Sequence, residues 1–178
     1  MKMTAAALMA LVSVPEALLP EGAGMHAAYL AKARMDGWTY GPTRDNTKKT
    51  KPNIISFALL KPTVKASNVG PFLSVFGYVL EQVTELGIET LEALKAFVQG
   101  LLDDQGNVPN PVLGERTWKV WCEYARAAEP NHPDLVENWL DLSADSRSYD
   151  ASLNGVAAKK LIEWIEEQMA IDAVNANS

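Results

Sequence analysis

The chain has 178 residues, 48% of them hydrophobic and 21% charged, with a formal net charge of −6. That is long enough to bury a core, as one domain or two small ones, and the balance excludes wholesale disorder. The single cysteine, Cys122, excludes an internal disulfide framework and suits a reducing compartment.

Lys2 followed by MTAAALMALVSV mimics a short signal peptide, but Pro15, Glu16 and Pro20 crowd the region where cleavage would fall. Residues 3–12 are therefore expected as the first helix of the fold, buried on most sides. No apolar run approaches the ~20 residues of a membrane helix, so the expectation is a cytoplasmic protein without a membrane partner. After a break at 20–24, residues 25–36 place Met25, Tyr29, Leu30 and Ala33 on one helical face, and Gly37 stands where a left-handed residue closes a helix. Residues 38–53 hold Pro42, Pro52 and many polar side chains, and read as an ordered loop. Residues 54–57 are apolar and β-prone but short, fitting a packed extended segment or a helical turn.

Asn68 is placed to cap a long helix that has Pro71 in its first turn and Gly87 at its end. Its apolar positions Phe72, Val75, Phe76, Val79, Leu80 and Val83 keep helical spacing. A further helix is expected over 88–102. DDQGNVPNP, residues 103–111, is the clearest linker in the sequence. Beyond it, 112–128 is helical and bears Trp118, Trp121 and Tyr124, and Pro130 to Pro133 breaks it. Residues 135–142 form a short helix or turn with Trp139, and 150–174 a long final helix. The expected fold class is mainly α. It has an extension over 1–24, a helical domain over 25–102, the linker at 103–111 and a helical second half over 112–178.

Charge is unevenly spread. Residues 1–65 hold nine Lys/Arg against four Asp/Glu, and residues 66–178 hold seven against eighteen. An acidic body of that size repels the phosphates of duplex nucleic acid, so duplex DNA is not an expected partner. A small anion samples only the local field around the basic segment. That segment is concentrated in residues 37–51, where Trp38, Tyr40, Arg44, Lys48, Lys49 and Lys51 lie close together. Trp38 and Tyr40 are two apart, so in an extended loop both rings point to one side. Two rings held between Gly37 and Gly41 make a stacking face worth about 1–3 kcal/mol per base. Arg44 offers a fork for phosphate, and the lysines add positive field. The expected ligand is a flat ring carrying an anion, with an adenine-type ring and phosphates favoured. Candidate binding residues are Tyr29, Trp38, Tyr40, Arg44, Lys48 and Lys49. If the loop is not the site, the cleft between the halves, with Tyr29, Trp118 and Trp121, is the next place to look.

The run of His26 near a helix start, then GWTYGP-x-RD over residues 37–45, Lys49, Pro52, Ile55, Phe57 and Leu59, resembles the RyR domain. This repeat was first described in ryanodine receptors and also occurs in bacterial and phage proteins. The likeness covers roughly residues 25–90, and departs from the family at Lys51, where a histidine is common before the proline. It implies a helical repeat domain, and it points to adenine nucleotides held beside this loop. A second, degenerate copy is suggested by Ala31 to Arg34 aligning with Glu123 to Arg126, and Lys51 to Ile55 with His132 to Val136. The GWTYGP loop is missing from that copy.

His26 and His132 stand at no metal-ligand spacing from Cys122, and the chain holds no GxSxG, Walker-type or GxGxxG motif. No catalytic residue, metal or cofactor is expected. The sequence reads as a non-enzyme that binds a small nucleotide-derived anion for sensing or sequestration, with homo-oligomers left open. In a phage, in the cytoplasm of its host, sequestering an immune signalling nucleotide would suit that build. The alternative is a structural or interaction module whose basic-aromatic loop meets an acidic partner surface.

Overall fold

Phe72, Val75, Phe76, Val79 and Val83 recur at three- and four-residue spacing, and all five are buried along one face of a central helix. The computed structural model describes all residues, Met1–Ser178. It is 67% helical with one two-stranded sheet, a mainly α fold. In chain order the helices are α1 (Ala5–Val12), α2 (Pro15–Leu18), α3 (Gly22–Met35), α4 (Pro62–Ser67), α5 (Gly70–Leu86), α6 (Leu91–Leu101), α7 (Pro111–Ala128) and α8 (Ala144–Ala176). The strands β1 (Thr39–Tyr40) and β2 (Thr50–Lys51) lie between α3 and α4.

One hydrophobic cluster joins Ala5, Leu8 and Met9 of α1 to the buried face of α5. Leu91, Leu94 and Val98 of α6 and Ala157, Ala158, Leu161 and Ile165 of α8 complete it. Phe76 lies edge-on to Phe72 at 6.0 Å and to Trp164 at 5.8 Å, which adds directional aromatic contacts to the area buried. A smaller cluster of Trp118, Cys122 and Leu142 braces the far side of α7.

Side-chain caps fix where the helices begin. Thr90 accepts from Ala93 N at α6, Asn110 from Val112 N and Leu113 N at α7, and Ser143 from Ser146 N at α8. Because Ser143 caps it, α8 starts at Ala144 rather than at the expected position 150. The expected cap at Asn68 is corrected: its Nδ2 donates to Val64 O at 3.0 Å and closes α4, which starts with Pro62 in its first turn. The α1 helix is buried on one side only, with Ala6, Ala7, Ala10 and Leu11 exposed. It is pinned into the fold, since Ala5 N donates to Glu89 O at 3.0 Å and Met3 N to Asp172 Oδ2 at 3.0 Å.

The 103–111 segment does not divide the core. Val108 within it is 1% exposed and belongs to the main cluster, and its N–H donates to Ala151 O of α8 at 2.9 Å. Asp103 Oδ1 accepts from Gln105 N and Asn107 N, both at 2.9 Å, and holds the corner in shape. Its turn-forming residues make a packed bend rather than a tether. No single helix is long and apolar enough to cross a membrane.

Candidate functional site

The segment after α3 is folded by its own short-range chemistry. Gly37 has φ +85°, a left-handed conformation that lets Trp38 N reach back to Ala33 O at 2.9 Å. Thr39 and Tyr40 then pair in parallel with Thr50 and Lys51. Gly41 lies against the Thr50 side chain so closely that a Cβ there would stand 2.7 Å from Thr50 Cβ. Asp45 and Thr50 exchange backbone hydrogen bonds at 2.9 and 3.0 Å, and Asp45 Oδ1 accepts from Thr47 N and Lys48 N at 3.0 Å. The glycines of GWTYGP thus serve a turn and a close approach, and Asp45 ties the loop.

This loop forms one wall of a cavity of about 760 Å³, within the range of small-molecule sites. The other walls come from α3, α4 with the start of α5, the second half of α7 with the segment after it, and the first turns of α8. Tyr29, Trp38, Arg44 and Lys49 line it, as do Trp118 and Trp121 of the second half. The cavity is therefore where the loop meets the cleft.

At its centre is Lys51, only 5% exposed. Its Nζ lies 4.4 Å from the Trp38 ring centroid, 4.7 Å from that of Tyr29 and 5.4 Å from that of Tyr149. It makes no ion pair within 4 Å. The rings return part of the ammonium's lost hydration through their faces. Burial still dominates, and with the nearby Arg44 charge it pulls Lys51 down to about 8, against the raising effects of Asp134, Asp36 and Glu129. Lys32 Nζ also lies over the Tyr149 ring, 4.6 Å from its centroid.

Arg44 stands 5.8 Å from the Trp38 ring centroid and donates from Nε to Glu129 Oε2 at 3.3 Å. Glu129 follows the last turn of α7, so this pair ties the loop to the second half. Tyr29 stacks on His26 at 5.8 Å, and His26 Nε2 bonds Ile55 O at 2.7 Å, which anchors the loop's exit. Burial pushes the Tyr29 hydroxyl up and keeps it neutral. Tyr149 is pushed up first by burial and then by its interaction with the neighbouring Asp36 carboxylate.

The far wall is acidic. Lys32, Arg44, Lys49 and Lys51 share the cavity with Glu129, Asp134, Asp141, Asp145 and Asp150, while Asp36 stands beside the cations at the end of α3 and pairs with Lys32 at 3.5 Å. Burial, reinforced by Asp134, pushes Asp150 up to about 8. His132 is pulled down to about 3, first by burial and then by Arg44 and Lys51, and it accepts from Asp134 N at Nδ1 over 3.0 Å. Burial favours the protonated Asp150 carboxyl and the neutral His132 ring, so this wall offers both donors and acceptors.

Several sequence expectations change here. Tyr40 is 58% exposed and does not line the cavity, so it forms no joint stacking face with Trp38. Trp38 precedes the paired strand and follows the left-handed turn, so strand alternation does not extend to it. Lys48 is solvent-exposed beside Asp45 and is also outside. Lys49 sits at the rim with φ +53°, and its Nζ donates to Asp36 O, where it caps the carbonyl end of α3. Lys51, Lys32 and Tyr149 also line the cavity and are absent from the candidate set. Tyr149 could not be found from local pattern, because only the fold brings it beside Lys51. No family model matches the chain, and no curated protein matches it significantly.

Proposed function

We propose that this cavity binds a small nucleotide-derived anion and returns it unchanged, as a sensor or a sponge. The observation that carries this reading is the Lys51 ammonium, buried among three aromatic rings with no carboxylate paired to it. A buried charge without a counterion is costly, and an anionic ligand group would supply the missing partner. Arg44 uses only Nε on Glu129, which leaves its terminal nitrogens for the same anion. Trp38 gives a base a face to stack on. The acidic wall is hostile to bare phosphate but suits the hydroxyls of a ribose and the amino group of a base. The RyR resemblance of the loop supports the same ligand class, and for a phage protein sequestration of a signalling nucleotide follows naturally.

The decisive experiment is to denature purified protein by heat and analyse the released small molecules by mass spectrometry, then titrate adenine nucleotides calorimetrically. Trp38→Ala and Arg44→Ala should each weaken binding by about 1–3 kcal/mol, while Tyr40→Ala and Lys48→Ala should change it by less than about 0.5 kcal/mol. No released nucleotide and no measurable affinity would end this reading. Cleaved product in excess over protein would reveal an enzyme.

Tyr40 and Lys48, exposed on the outer face of the same loop, favour a second reading in which that face docks on an acidic partner. Under it, the sensitivities of the four variants reverse.

A further inference from the structure

We infer that Lys51 is a reactive amine that captures small aldehydes bearing an anionic group, as a reversible imine inside the cavity. Three independent features meet at this one atom. The side chain is buried, it lines a cavity large enough for a ligand, and its Nζ lacks the ion pair that a buried lysine ordinarily has. Its backbone cannot drift, because Gly41 N donates to Lys51 O at 3.3 Å and β2 is paired on β1. Exposed lysines are held protonated by water, whereas a desolvated lysine beside another cation gives up its proton more readily. Lys51 meets both conditions, through its burial and through Arg44, and its own value falls to about 8.

The chemistry balances without an oxidant or reductant. The Nζ lone pair attacks the carbonyl carbon, an N–C bond forms, and the oxygen takes up a proton to give a carbinolamine. Loss of that oxygen as water, with the second amine proton released, leaves the C=N bond. The Tyr149 hydroxyl, kept neutral first by burial and then by Asp36, lines the same cavity and is a donor for the oxygen. The terminal nitrogens of Arg44 hold the anionic group, Lys32, paired with Asp36 at 3.5 Å, adds positive field, and Trp38 flanks a planar substituent. The Trp38, Tyr29 and Tyr149 ring faces, with Asp36, Glu129 and Asp134, favour the ammonium and so set an upper limit on the neutral fraction.

Pyridoxal 5′-phosphate is a suitable probe, being a planar aldehyde with a phosphate. The intact protein is mixed with one equivalent, reduced with borohydride, and analysed by intact mass and peptide mapping between pH 6 and 10. A single adduct on Lys51 is expected, forming about tenfold faster at pH 8 than on a free lysine amine such as Nα-acetyl-lysine, since the larger neutral fraction outweighs the lower basicity of the amine. The Lys51 rate should level off above pH 8. Lys51→Arg should remove the adduct and keep the charge in the ring box. If that variant misfolds, mapping on the wild-type chain decides alone. Labelling spread over the exposed lysines at equal rates overturns the inference. The outcome is separable from the nucleotide reading: Lys51 labelling without nucleotide affinity sinks only the latter, and nucleotide affinity without labelling sinks only the former.

Discussion

Gly155→Ala is expected to destabilise the protein by about 3 kcal/mol or more, read as a lower denaturant midpoint at unchanged slope. Gly155 lies on α8 where the 103–111 bend crosses it, and an added Cβ would collide with Gly106 O and crowd Asn107 Cα. Both obstacles are backbone. Neither can swing aside, because Val108 N is bonded to Ala151 O and Asp103 holds the bend from within. Gly77→Ala is the matched control. Gly77 is inside α5 with nothing within 4 Å of its added Cβ, so the substitution should stabilise by about 0.5–1 kcal/mol through helix propensity alone. Equal effects at the two positions would mean that the bend does not pack on α8. The 103–111 segment would then be the tether its composition suggests.

Asp150→Asn should make the protein more stable, and increasingly so as pH rises towards 8. Burial first, and Asp134 second, raise the Asp150 carboxyl from 3.8 to about 8. A group raised in the folded state contributes stability below its unfolded value and loses it as pH climbs through the folded value. His132, lowered from 6.5 to about 3, acts in the opposite direction below pH 6.5. Lys51, lowered from 10.5 to about 8, acts oppositely above pH 8. Between pH 6.5 and 8 the Asp150 effect therefore stands largely alone. The wild-type chain should lose about 2 kcal/mol across that window, at about 1.4 kcal/mol per pH unit, and the asparagine variant should be nearly flat. Urea titrations at the two pH values check this; a flat wild-type profile would place Asp150 in contact with bulk water.

The two substitutions probe different layers of the molecule. The first concerns how a local bend joins the core, and the second what the cavity does to a charge. Both layers have sequence antecedents of unequal clarity. The spacing of Phe72, Val75, Phe76, Val79 and Val83 was sufficient to specify α5 and its buried face, because apolar residues at helical period have few other ways to leave water. Trp38, Arg44 and Tyr29 were legible as a group for a local reason as well. The turn at Gly37 and the close approach at Gly41 fold residues 37–51 largely on themselves.

Local pattern stopped where contacts became distant. Tyr40 and Lys48 have the right chemistry in the right loop, yet Tyr40 is exposed in the two-residue pairing with Thr50 and Lys51, and Lys48 is exposed in the turn that Asp45 holds. Lys51 looked like one cation among several, and became singular only when Tyr149, 98 positions later in the sequence, closed the ring box around it. The acidity of residues 66–178 could be counted, but not its location: Glu129, Asp134 and Asp150 converge on the basic loop only through the packing of α7 and α8. By itself the sequence determined most of the helices and the self-folded loop, because those depend on neighbours within a few residues. Tertiary structure alone decided which of the loop's charges are buried, since burial depends on what the rest of the chain brings against them.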